Sequence, residues 1–210
     1  GCYEYSTHFT GLAGHGSEPD KGVNAVEYAV KYIDKLMKLR EELKKNSPKK
    51  SIFNPPYTTL QIGGINGGIA RNVIADKCSV DWELRPIVKK DGDFVNLEMD
   101  NFVKNKLLPE MKNIFPNASI KKEIIGEIIG FDQVKKSSAC NLMANIMGDN
   151  SKNTVSFGTE AGLFQEINIS TVVCGPGSID QAHKVDEFIT FDQLKLCIKM
   201  LDGVKNYLKN

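Results

Sequence analysis

No stretch of this chain approaches the roughly 20 consecutive apolar residues that a helix needs to cross a bilayer, so the sequence offers no membrane-spanning helix. Neither charge is in excess. With 27 Lys and Arg against 26 Asp and Glu, a net of +1, nucleic acid and anionic membranes have no electrostatic claim as partners. The five cysteines (Cys2, Cys78, Cys140, Cys174, Cys197) are odd in number, scattered and never spaced as CxxC. That pattern excludes a zinc ribbon and fits free thiols in a reducing compartment, which points to the cytoplasm. Several chemistries are missing outright. There is no Walker A sequence and no GxSxG elbow, and Gly63-Gly64 with Gly67-Gly68 lack the spacing of a dinucleotide fingerprint. HExxH and HxxxD are also absent, and no pair of glutamates accompanies Asp180, Asp186 and Glu187, so no complete metal site can be assembled from these residues. An initiator methionine is lacking as well. The chain opens at Gly1 inside a strand pattern, and we expect further sequence upstream of it.

What is present suits one or two domains with a real core. Tyr3, Tyr5, Thr7 and Phe9 alternate with Glu4, Ser6, His8 and Thr10, the period of a half-buried strand. A Gly- and Ser-rich loop from Gly11 to Pro19 follows. Val23, Val26, Val30, Ile33 and Met37 then recur at helical spacing, which predicts a helix over 23–43 with that face inward. Strands are predicted at 58–65 and 80–84, a second helix through Val95, Met99, Phe102, Val103 and Leu107, and a fourth strand at 118–125. The order βαββαβ is ferredoxin-like, a four-stranded sheet with helices on one face. We expect it to fill a first domain, residues 1–127.

Residues 128–210 differ in character. A helix is predicted near Val134–Met147, a short strand at 154–157 and a turn at 158–162. Ser170–Cys174 reads as a buried parallel strand, and Leu194, Cys197, Ile198, Leu201, Val204 and Leu208 mark a last helix. This is α/β material with too few strands for a complete sheet. The second domain, 128–210, is therefore expected to be the C-terminal portion of a larger α/β domain.

Only three histidines can carry chemistry. His8 falls on the polar strand face, a solvent-facing structural position. His15, in Ala13-Gly14-His15-Gly16-Ser17, is either an ordinary exposed loop residue or a hydrogen-bond donor to a developing oxyanion. His183 follows an apolar run, where α/β folds bind ligands, and is a candidate metal ligand with Asp180, Asp186 and Glu187 nearby in sequence. Cys174 closes that apolar run and reads as core rather than as a nucleophile.

Together the pieces resemble the M20 metallopeptidases along the whole chain. One set of matches runs from Phe9-Thr10-Gly11 through His15, Ser17, Pro19, Gly22, Asn24 and Ala25. Phe53-Asn54-Pro55-Pro56-Tyr57-Thr58-Thr59-Leu60, followed by Gly67-Gly68 and Ala70-Arg71-Asn72-Val73-Ile74, is similar to the deacetylase branch rather than to the succinyl-diaminopimelate desuccinylases. Gly158-Thr159-Glu160-Ala161, Gly175-Pro176-Gly177-Ser178-Ile179, Gln181-Ala182-His183 and Asp186-Glu187 are the most specific matches. Ala75 stands where the family usually has proline.

The resemblance implies a ferredoxin-like lid and dimerisation domain followed by the end of a zinc-peptidase-like catalytic domain. It implies hydrolysis of a small N-acyl amino acid, N-acetylornithine in the first place, as a step of arginine biosynthesis. The implied cofactor is zinc in a two-metal site of the longer protein, with cobalt as a substitute. His183 matches the C-terminal metal ligand. His15 matches the lid histidine that reaches across a homodimer to polarise the scissile carbonyl. Asn72 and Arg85 match substrate-binding lid positions; for Arg85 the alternative is a cross-strand pair with a carboxylate on the sheet face. Gly158 and Thr159 match a turn beside the substrate carboxylate. The family's other metal ligands and its general-base glutamate precede the lid, so this chain alone is expected to be inactive. A desuccinylase or dipeptidase of the same family, a non-catalytic dimerisation module, or the product of a split or decayed gene are the alternative readings.

Overall fold

The computed structural model describes residues 1–131, 137–151, 153–155 and 157–209. They form two compact units, Gly1–Gly130 and Phe131–Asn210.

The first unit holds strands β1 (Cys2–Thr10), β2 (Thr59–Gly67), β3 (Lys77–Arg85) and β4 (Ser119–Ile128), with helices α1 (Ala25–Lys45), α2 (Lys89–Phe102) and α3 (Leu108–Ile114). A five-residue π-helical stretch, Val103–Leu107, joins α2 to α3. The sheet order is β2-β3-β1-β4, every pairing antiparallel, which is the ferredoxin-like arrangement. The alternation in β1 is kept: Tyr3, Tyr5, Thr7 and Phe9 are buried on the helix side, while Glu4 and His8 are exposed on the other. That open face is polar. Ser6 Oγ donates to Asp81 Oδ1 at 2.6 Å, and His8 Nε2 lies 3.0 Å from Glu123 Oε2.

Helix α1 begins where Asn24 Oδ1 accepts the backbone N–H groups of Val26 and Glu27, and it ends on Lys44 and Lys45, a favourable charge for the carbonyl end. Its buried face is rotated from the predicted one. Ala25, Ala29, Tyr32, Leu36, Leu39 and Leu43 face the sheet, Val26 and Ile33 of the predicted stripe pack at the rim of the core, and Val30 is 55% and Met37 39% exposed. The helix carries two apolar stripes. The one with two alanines lets the backbone approach the sheet closely, and its leucines and tyrosine fill the space beyond. Of the second predicted stripe, Val95, Met99 and Leu107 are buried and Phe102 and Val103 partly so, and Met111 beyond it is buried as well.

Trp82, Tyr5 and Tyr32 form the centre of the core. The Tyr5 and Trp82 rings are 4.4 Å apart, and Tyr32 meets Trp82 edge-on at 6.4 Å. The buried Thr7 hydroxyl joins them. It accepts from Trp82 Nε1 at 3.1 Å and donates to the Tyr32 hydroxyl at 3.2 Å. Burial pushes the Tyr32 hydroxyl pKa up, so it stays a neutral partner.

The second unit contains α4 (Ser138–Met147), α5 (Ala161–Glu166) and α6 (Phe191–Tyr207). Of the predicted helix near Val134–Met147, Val134 lies outside the described residues, as does residue 156 of the predicted strand at 154–157. The parallel strand expected at Ser170–Cys174 does not form. Its backbone carries no strand pairing, and Val173 and Cys174 are exposed. A parallel strand needs neighbouring strands for its ladder bonds, and none occurs among the described residues of this unit. Helix α5 was not foreseen in the turn at 158–162. Helix α6 has no buried residue, and Phe191 is 82% exposed. No helix among the described residues is long and apolar enough to cross a membrane.

Replacing Thr7 with valine keeps the shape and strands the buried Trp82 N–H. The expected cost is about 1–3 kcal/mol of unfolding free energy. Urea unfolding followed by emission of Trp82, the only tryptophan, reports this unit. Wild-type stability in Thr7→Val would remove the network from the account.

Candidate functional site

The loop after β1 is zipped to the segment before β3. Gly11 N–H donates to Asp76 O at 2.8 Å, Ile74 N–H to Gly14 O at 2.9 Å, and Gly16 N–H to Asn72 O at 2.8 Å. His15 sits in the middle of this ladder, bridged to Val73. Glycine is required at Gly11, where a Cβ would lie 2.0 Å from the carbonyl oxygen of Val23, just before α1, and Gly16 is tightly placed, a Cβ there lying 3.1 Å from the Asn72 carbonyl. Ala75 accepts the backbone N–H of Ala25 at 2.7 Å, which ties the start of α1 to the same segment. Two predicted site residues, His15 and Asn72, are thereby brought together, both exposed.

The His15 ring is itself held. Its Nδ1 lies 2.7 Å from Ser17 Oγ and 3.3 Å from Ser17 N, whose N–H donates to it. A turn closed by Glu18 N–H onto His15 O at 2.9 Å fixes this geometry. The sequence motif includes Ser17, but spacing alone carries no sign of its contact with the ring.

Arg85 lies at the opposite end of the sheet. Register pairs Tyr3 with Leu84 and Thr10 with Lys77, so the His15 loop leaves the Lys77 end while Arg85 closes the other. Eight strand steps at about 3.3 Å separate these ends by roughly 26 Å. Arg85 is clamped by Glu83: Nε donates to Oε1 at 3.1 Å and an Nη to Oε2 at 3.1 Å. Glu83 is the main cause that raises the guanidinium pKa. That carboxylate belongs to a residue two positions back on the same strand, whereas the alternative reading expected a cross-strand partner.

Cys2, Glu4 and Glu83 bring their donor atoms within 4.8 Å of one another. The Arg85 guanidinium, bonded to Glu83, already answers this negative charge. Burial raises the Cys2 thiol pKa, while Arg85 partly opposes that rise. The cluster is therefore an ion pair beside a protonated thiol rather than a cation site.

In the second unit, Thr159 Oγ1 accepts the N–H of Ala161 at 3.1 Å and so starts α5 just after Gly158. His183 lies in an exposed loop after a 3-10 turn at Ile179–Gln181, and its N–H donates to Glu187 Oε2 at 3.3 Å. His183 and Asp186 both have left-handed backbones, φ 61° and 60°. Non-glycine residues adopt that conformation at a cost of about 1–3 kcal/mol, and such strain clusters at ligand sites. Among the described residues His183 belongs to no group of three His, Cys, Asp or Glu donors close enough to share an ion. A catalytic zinc takes about three protein ligands. The described residues around His183 thus do not fit a metal centre by themselves.

The peptidase dimerisation domain of the M20 family matches residues 1–111. Acetylornithine deacetylase from Photorhabdus laumondii is 34% identical over 181 residues, covering 85% of this chain and 44% of that protein. The acetylornithine deacetylase of Vibrio atlanticus is 34% identical over 201 residues, 94% of this chain and 50% of its own length. This chain therefore spans about half the length of the curated relatives it matches. Among solved structures, a tripeptidase from Staphylococcus aureus superposes with a TM-score of 0.68 at 19% identity, over 97% of this chain and 50% of that one. Aminopeptidase PepT from Bacillus cereus gives 0.66, also at 19% identity, over the same shares of the two chains. With a zipped histidine loop at one end of a ferredoxin-like sheet and a family match across that unit, the chain belongs to the M20 peptidases.

Proposed function

We propose that this chain is the lid and C-terminal part of a metal-dependent amide hydrolase that deacylates N-acyl amino acids, N-acetylornithine foremost, as a step of arginine biosynthesis in the cytoplasm. Residues 1–127 act as the dimerising lid, and residues 128–210 as the end of the catalytic domain. The acetylornithine deacetylases among the relatives support the substrate, and the scattered cysteines support a reducing compartment. The exposed apolar residues of α6 support a second unit that needs more chain to cover it.

One observation carries the mechanism: His15 with Asn72, and Arg85, lie at opposite ends of one sheet. No small substrate spans roughly 26 Å, so one chain cannot present all three to one molecule. A two-fold dimer resolves this. Of the two sheet edges, β4 carries Lys121, Lys122, Glu123 and Glu127, whereas β2 carries no charge and no proline. Charged edges resist pairing and uncharged ones invite it. Antiparallel pairing of β2 with its copy brings the Gly67 end of one protomer beside the Thr59 end of the other. Because Thr59 pairs with Arg85 and Gly67 with Cys78, His15 and Asn72 of one copy then approach Arg85 of the other.

In that composite site His15 donates a hydrogen bond to the oxyanion formed at the scissile carbonyl; loss of one such donor costs about 10² to 10³ in rate. Asn72 binds polar substrate groups. Arg85, released from Glu83, holds the substrate carboxylate, and Gly158 and Thr159 border it. Zinc, with cobalt as a substitute, is the proposed metal. His183 is this chain's contribution to it, and the remaining ligands come from residues outside these 210.

In an active protein carrying these residues, His15→Ala and Arg85→Ala are each expected to abolish most turnover. Co-assembling the two variants at random is expected to restore about one quarter of wild-type activity, since half the dimers carry one intact composite site. No restoration would mean that both residues serve one protomer's site. For the chain alone, calorimetry with zinc or cobalt is expected to give no tight stoichiometric binding, and N-acetylornithine no turnover. Activity of the chain by itself would overturn the partial-site reading. Ile65 is 49% exposed on the β2 edge, and Ile65→Lys is expected to turn dimers into monomers in sedimentation experiments; an unchanged dimer would move the interface elsewhere.

A further inference from the structure

The hydrogen bonds around His15 define more than its position. A backbone N–H is always a donor, and that of Ser17 donates to His15 Nδ1 at 3.3 Å. Nδ1 is therefore the acceptor nitrogen, and a neutral imidazole whose Nδ1 accepts carries its proton on Nε2. The opposite tautomer would point two N–H groups at each other. The Ser17 hydroxyl, 2.7 Å from the same nitrogen, donates to it as well. Its oxygen is the nearer partner, so it contributes more than the backbone group. Among the described residues nothing bonds to Nε2, and the side chain is exposed. The outward nitrogen thus carries a proton and is free to donate it.

We propose that Ser17 is a positioning residue that locks His15 in the Nε2–H tautomer, so that the nitrogen presented outward is a hydrogen-bond donor and not a lone pair. The proposal rests on the reading of His15 as the oxyanion donor. It adds the reason a neutral imidazole can serve there. An Nε2 lone pair facing an oxyanion would repel it, and the ring would have to move its proton before it could help. The turn closed by Glu18 N–H onto His15 O, with Gly16 N–H bonded to Asn72 O, keeps the Ser17 N–H aimed at the ring before any substrate arrives. The donor is in this sense preorganised, which is what electrostatic stabilisation of a transition state requires.

Ring ¹⁵N labelling of the full chain tests this, since only three histidines contribute signals and His15→Ala assigns the relevant set. At a pH where a titration has found the ring neutral, long-range ¹H–¹⁵N correlation is expected to show His15 as the Nε2–H tautomer. In Ser17→Ala the Nδ1–H fraction is expected to rise about threefold to tenfold, the worth of one net hydrogen bond, and Ser17→Thr is expected to restore the wild-type pattern. An Nδ1–H pattern in wild type would overturn the proposal, and so would an unchanged ratio in Ser17→Ala. In an active protein, Ser17→Ala is expected to lower kcat about tenfold with KM held. The underlying reading fails separately: full activity in His15→Ala would sink it even with the tautomer as stated.

Discussion

Everything in the first unit hangs on one buried hydroxyl. Thr7 lies in the central strand, and its oxygen takes the Trp82 N–H from β3 while its proton goes to the Tyr32 hydroxyl on α1. Three elements are therefore tied by one hydroxyl that donates one bond and accepts one where water cannot substitute. Aromatic rings carry the area that is buried, but this oxygen decides how they are oriented. Tyr32 shares its helix face with Ala25, Ala29, Leu36, Leu39 and Leu43, so this bond lies on the stripe that meets the sheet, while the Asn24 cap starts the helix a short turn after the loop that bears His15.

Much of this was legible in the chain. Period-two alternation marks β1 and β3 without ambiguity, because each strand pairs an apolar face with a charged one and a one-residue slip would exchange them. Helix α1 was legible as a helix and not in its rotation. Val23, Val26, Val30, Ile33 and Met37 form as regular a stripe as the true one, and periodicity cannot tell which stripe meets a flat sheet. Close approach of backbone decides that, and it favours Ala25 and Ala29 over branched side chains. The strand expected at Ser170–Cys174 fails for a different reason. An apolar run specifies burial, but a parallel strand exists only when others complete it.

The candidate site could be named from the sequence as a set of residues but not as an arrangement. Motif order named His15, Asn72, Arg85, Gly158, Thr159 and His183, yet nothing in spacing says that His15 and Asn72 share one zipped loop pair while Arg85 lies at the far end of the sheet. Register supplies that: β1 pairs with β3 without a shift from Tyr3–Leu84 to Thr10–Lys77. The ion pair between Glu83 and Arg85 makes a similar point. A guanidinium expected to meet a substrate carboxylate already has an internal one, so substrate must compete with a tethered carboxylate two residues away.

The unequal edges of the sheet also bear on how far such a surface can assemble. Uncharged strands that pair head-to-tail grow into fibres, whereas a self-complementary pairing about a two-fold axis is used up in one step. With β2 against its copy, the combined sheet of eight strands ends on both sides in β4, where two lysines and two glutamates remain. In the proposed dimer the edge that recruits the first partner would leave no vacancy for a third chain. Such a lid would be a polymerising surface that terminates itself at two.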